Sequence, residues 1–226
     1  MSHSYSKSLE SRLKSSSDSL ESSHMDQSIQ SSLSSSPSTS SYADPTSSNL
    51  NILSPYVPTP STFIDRLIPL LKPYLEGAEV GTVPFIDIGS GDGRVCISIS
   101  SHFNLPSLGL DVTSLCTSAA QKISLEESTL HLTTFLTLDA TTLKLHDILN
   151  DQKLEAFRTA RIVYLFIYPT LLKAVKNILK EIMGVNEGLR IVTQNYHFKD
   201  EEGEVEVSVD VEEDGFEGLK VWRRLY

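Results

Sequence analysis

The chain reads as an α/β domain with a mostly parallel sheet, helices on both faces and a C-terminal antiparallel hairpin. Three observations predict it. Five short apolar runs alternate with segments of helical spacing. The first run, "VPFIDI", stops at a glycine turn, "GSGDGR". The closing residues hold "EVEVSVDV", which alternates strictly, and "GLKVWRRLY", with only "EEDGFEG" between them, so the two pair as a hairpin.

Taken in order, "STFIDRLIPLLKPYL" sets Phe63, Leu67, Leu70 and Leu71 at helical spacing, and Pro69 and Pro73 predict a kink or two short pieces. "GRVCISISSHF" follows the glycine turn. Its β-branched and serine residues are poor helix formers, yet a glycine turn after a buried strand commonly opens a helix. "SLGLDV" is a second strand ending at Asp111, and "TSLCTSAAQKISLEES" a helix after it. "TTFLTLDA" is a third strand, ending at Asp139, before one or two short helices in "TLKLHDILNDQKLEAF". "ARIVYLFIY" is the fourth strand, and Pro169 stands where a helix starts. In "TLLKAVKNILKEIM", Leu171, Leu172, Val175, Ile178, Leu179 and Ile182 form one apolar face, and Gly184 suits the C-terminal cap. "LRIVTQNYHF" is the fifth strand.

Gly89, Gly91 and Gly93 have a physical use at that first turn. Without Cβ atoms, backbone approaches a ligand closely, and the helix that follows presents free N–H groups and a partial positive charge. A dinucleotide fingerprint would need glycine where Arg94 stands, and no G-x-x-x-x-G-K is present, so a phosphate loop is excluded. The spacing G-x-G-x-G behind Asp87 narrows the ligand to a nucleoside without a pyrophosphate. Asp92 and Arg94 are expected to pair with each other or with backbone.

The composition bounds the rest. Of the first 50 residues, 22 are serine, a composition that cannot bury enough apolar surface to order itself. Residues 1–50 are therefore expected to be a disordered tail and 51–226 the folded domain. A net charge of -10 disfavours non-specific nucleic-acid binding. No apolar stretch reaches the ~18 residues of a membrane span, and no secretory signal opens the chain. Cys96 and Cys116 have no metal-type spacing and read as core thiols in a reducing compartment.

"IDIGSGDGR" resembles the first motif of class I S-adenosylmethionine-dependent methyltransferases, whose Rossmann-like sheet has seven strands, the last antiparallel. The resemblance covers roughly Ser54 to Tyr226. It implies S-adenosyl-L-methionine as cofactor, held at Asp87, Gly89, Ser90, Gly91 and Gly93, with Asp111 accepting from the ribose hydroxyls and Asp139 near the adenine amino group. "SPYVPTPSTFIDRLIPLL", upstream, is similar to the lysine N-methyltransferases of ATP synthase subunit c and the adenine nucleotide translocase, as are "VYLFIYPTLLKAV" and "GLRIVTQNYHF". This implies that Tyr56, Thr59 and Pro60 fold over the cofactor and that the partner is a protein lysine. Tyr168 and Pro169 are candidate walls of the acceptor pocket, and Tyr196, with His197, faces either that pocket or solvent.

"IYPT" lacks the Asn/Asp/Ser-Pro-Pro-aromatic run of enzymes acting on planar nitrogens, so no nucleic-acid partner is expected. A monomer in the cytoplasm is expected, with mitochondria as the alternative compartment. Two further readings stand beside this one: an inactive interaction module on the same fold, and a methyltransferase for a small molecule.

Overall fold

The computed structural model describes residues 56–79, 81–196, 198, 208–210 and 219–222. The serine-rich tail, His197 and most of the acidic hairpin lie outside the described residues. Helix α1 (Ser61–Leu75) precedes strand β1 (Phe85–Ile88) and helix α2 (Arg94–Phe103). Then come β2 (Ser107–Asp111), α3 (Ser114–Glu126) and β3 (Thr133–Thr137). Two short helices, α4 (Leu145–Asn150) and α5 (Ala156–Thr159), lead to β4 (Ile162–Leu165), α6 (Pro169–Val185) and β5 (Arg190–Gln194). Strands β6 (Ser208–Asp210) and β7 (Leu219–Trp222) end the described chain.

The sheet order is β3-β2-β1-β4-β5-β7-β6, with six strands of four or five residues and β6 a three-residue edge. Strands β1 to β5 pair in parallel, and β7 runs antiparallel to both β5 and β6. The chain order reverses between β1 and β4. In open parallel sheets a crevice forms at such a reversal, beyond the strands' C-terminal ends.

Alternation of side chains divides the two faces. Ile86, Ile88, Leu108, Leu110, Val163, Leu165 and Ile191 point to one face, where α4, α5 and α6 close one apolar cluster over them. Helices α1, α2 and α3 cover the other face, and they supply no residue to that cluster. Helix α6 buries Leu172, Val175, Ile178, Leu179, Ile182 and Met183, with Leu171 only partly covered. The helix continues through Gly184 to Val185, and Asn186 caps it, its side-chain amide donating to the carbonyls of Phe157 and Ala160.

Helix α1 corrects the expected break. It is one helix with Pro69 and Pro73 inside it. Both prolines lie on the exposed side of the helix, away from its buried residues, so the turns they interrupt face solvent rather than the core. The opposite side buries Ile64, Leu67, Leu71 and Leu75, rather than Phe63 and Leu70, and holds the helix to the sheet. Arg161, just before β4, fixes its end by donating to the carbonyls of Tyr74, Glu76 and Gly77.

Candidate functional site

Gly89, Gly91 and Gly93 all adopt positive φ, at 82°, 54° and 77°, which turns the chain back over the end of β2 before α2 begins. The N–H groups of Gly89 and Ser90 donate to the Leu110 carbonyl at 2.8 and 2.9 Å. The Gly91 N–H donates to Asp111 Oδ2 at 3.0 Å, so the turn after β1 is bonded to the acid that ends β2. Asp111 Oδ1 accepts from the backbone and the hydroxyl of Thr113. The Cys116 thiol also faces the Asp111 carboxylate. Gly93 has a different reason to lack a side chain: a Cβ there would lie 2.6 Å from the Phe135 ring.

Under the turn is a small cleft. Tyr56, Thr59, Asp87, Gly89, Ser90 and Gly91 line it together. Asp92, Arg94, Tyr164 and Phe166 also line it, with Val57, Pro58 and Val95. Gly93, Asp111 and Asp139 lie outside the cleft itself. Asp139 stands two residues beyond β3, and its carboxylate accepts from the backbone and hydroxyl of Thr141. The Leu138 N–H donates to the Asp111 carbonyl, which places Asp139 next along the same edge.

The floor of the cleft is polar and dry. Asp87 is only 3% exposed, and burial, with Asp111 and then Asp92 nearby, pushes its carboxyl well above the usual range. Its neighbour across the pairing of β1 with β4 is Tyr164, fully buried, whose hydroxyl donates to Gln194 Oε1 and faces the Thr59 side chain. Burial and Asp87 raise the Tyr164 hydroxyl as well. Cys116, on α3 beside Asp111, is pushed up to about 11, mainly by burial. Ser90 Oγ is the only buried side-chain oxygen or nitrogen among the described residues without a partner.

Over the turn lies the segment Tyr56–Pro60. A Cβ at Gly91 would come 2.5 Å from the Tyr56 ring, so only glycine allows that ring to sit there. Tyr56 as a whole is 44% exposed, but its hydroxyl faces Asp92, and burial and Asp92 together raise its pKa. Asp92 and Arg94 do pair. The Arg94 Nε donates to both Asp92 oxygens at 2.9 and 3.0 Å, and Nη2 to Oδ2. Burial opposes the Arg94 charge, and the Asp92 carboxylate outweighs it, lifting the guanidinium pKa further.

Tyr168 and Tyr196, beyond the ends of β4 and β5, face each other with ring centroids 5.2 Å apart, and Pro169 opens α6 beside Tyr168. All three stand outside the lining of the cleft. Tyr164, Phe166 and Gln194 escaped the sequence reading. Their signal was a phenol and an amide inside otherwise apolar strands, "IVYLF" and "RIVTQ". Among the described residues no cluster of His, Cys, Asp and Glu could hold a metal, and no helix is long and apolar enough to cross a membrane.

With this geometry in hand, the chain superimposes on an RNA methyltransferase from Salinibacter ruber, crystallised with S-adenosyl-L-homocysteine. The TM-score is 0.53 at 24% identity, over 74% of this chain and 92% of that one. The fold is a methyltransferase fold. The METTL16 methyltransferase domain aligns with a TM-score of 0.48 at 17% identity, over 62% of this chain and 54% of that one. A S-adenosylmethionine-dependent methyltransferase from Thiobacillus denitrificans aligns at 0.42 and 15%, over 57% and 47%. No protein-family model and no curated protein matches the chain.

Proposed function

We propose that the chain is an S-adenosyl-L-methionine-dependent methyltransferase acting on a protein lysine. The observation that carries the cofactor is the 3.0 Å bond from the Gly91 N–H to Asp111, which joins the glycine turn and the acid of the second strand into one edge. The residues fit the group. Positive φ at Gly89 and Gly91 brings bare backbone to the lining of the cleft, Ser90 Oγ is buried there without a partner, and Asp111 ends β2 on the same edge. Asp87, Gly89, Ser90 and Gly91 would hold the cofactor at the cleft, with Asp111 and Asp139 farther along the same edge. Tyr56 and Thr59 cover it, and Gly93 shapes the turn.

When bound, the cofactor supplies a methyl group on a sulfonium, a leaving group that needs no activation. The protein's task is to orient the acceptor and exclude water. A lysine attacks only as the neutral amine. Tyr168, Tyr196 and Pro169 would take its aliphatic stem and desolvate its head, which favours loss of the proton to solvent. Aromatic faces also attract the charged amine on approach, worth about 0.5–2 kcal/mol. The acidic chain, at net charge -10, suits a basic acceptor.

Gly91→Arg tests the cofactor reading. The new side chain would strike Tyr56 and fill the cradle, and S-adenosyl-L-methionine binding measured by titration calorimetry should be lost. Undiminished affinity in a folded variant would sink it. Labelling of lysate proteins by tritiated cofactor, followed by mapping of the modified residue, tests lysine against a base or a small molecule.

A further inference from the structure

The segment Tyr56–Pro60 crosses the glycine turn and makes up one wall of the cleft, the turn making the other. Two of its attachments end on the same pair of residues. The Tyr56 hydroxyl faces the Asp92 carboxylate, and Arg94 Nη1 donates to the Thr59 carbonyl at 3.4 Å. Nε and Nη2 of Arg94 are both spent on Asp92, so the guanidinium is fixed in place and its remaining arm is aimed at the segment. The side chains of Arg94 and Asp92 are 22% and 16% exposed, so water and salt screen the pair little. Pro58 and Pro60 stiffen the segment, and the Pro60 carbonyl is already taken by the first turn of α1. A stiff strip held at its ends to one ion pair moves as a unit when the pair lets go.

We propose that the Asp92–Arg94 pair is a latch that positions the segment Tyr56–Pro60 over the cleft and sets how fast a ligand enters and leaves. Arg94 is a positioning residue here, acting through the Thr59 carbonyl and, by way of Asp92, through Tyr56. The ligand arm of the test rests on the cofactor reading above; the first arm does not.

Hydrogen–deuterium exchange of the ligand-free full chain, followed in a peptide spanning residues 56–64, reads the latch directly. Arg94→Ala should speed exchange at the Val57 and Thr59 amides by about tenfold or more, with Arg94→Lys between it and the wild type. Exchange in β5 and the melting temperature should hold. Asp92→Asn, which keeps shape and removes charge, should shift exchange in the same direction should Arg94→Ala fold poorly. Unchanged exchange in either folded variant overturns the proposal. In the second arm, S-adenosyl-L-homocysteine binding to Arg94→Ala by surface plasmon resonance should show both association and dissociation accelerated. Faster dissociation alone would mean that Arg94 grips the ligand itself, which overturns the latch. If the wild type binds no such ligand, the cofactor reading fails while the exchange arm still judges the latch.

Discussion

The two faces of the central strands follow opposite chemistry. Toward α4, α5 and α6, the row Ile86–Leu108–Val163–Ile191 and the row above it meet only apolar side chains. Toward α1, the corresponding row runs Gly109–Asp87–Tyr164–Val192, with Gln194 farther along β5. The first arrangement is what a fold needs to be stable. The second holds a buried carboxyl and a phenol in a dry place, which opposes stability unless something binds there. A sheet that is apolar on one side and polar under a glycine turn on the other separates the work of folding from the work of the site.

That separation can be broken from either side. The largest effect is expected at Leu165→Ala, which empties a fully covered place on the apolar face and should cost about 2–5 kcal/mol in denaturant unfolding. Cofactor affinity of the folded fraction should hardly move. Next is Asp111→Ala, which removes the acceptor of the Gly91 N–H and the place for the ribose. Affinity for S-adenosyl-L-methionine and S-adenosyl-L-homocysteine should fall together by roughly one to two orders of magnitude. Calorimetry of both ligands, with circular dichroism as the folding control, decides it.

The smallest effect has the opposite sign. Burial raises the Asp87 pKa above its unfolded value of 3.8. The native state therefore keeps a proton that the unfolded chain releases, and stability falls as pH rises from about 4 toward the folded-state pKa. Asp87→Asn should abolish that slope and raise the melting temperature at neutral pH by about 2–4 °C, while weakening the cofactor. A melting temperature lowered by Asp87→Asn at pH 7 would show that the carboxylate is instead charged and compensated.

The sequence alone placed the glycine turn and the acids that share its sheet edge. Asp87, Gly89, Ser90 and Gly91 lie within five residues, where local turn chemistry is legible, and Asp111 and Asp139 announce themselves at or just beyond the ends of apolar runs. The alternation of runs and helical spacings also announced the parallel sheet and the reversed last strand. Tertiary structure decided the rest because it depends on atoms far apart in the chain. Pro69 and Pro73 stay inside one helix on its exposed side, while Ile64, Leu67, Leu71 and Leu75 are buried on the other, which no local rule reveals. Tyr164 meets Gln194 across 30 residues, and Arg94 meets the Thr59 carbonyl across 35, so the polar floor and its cover arise only once the strands are in register and α1 is seated.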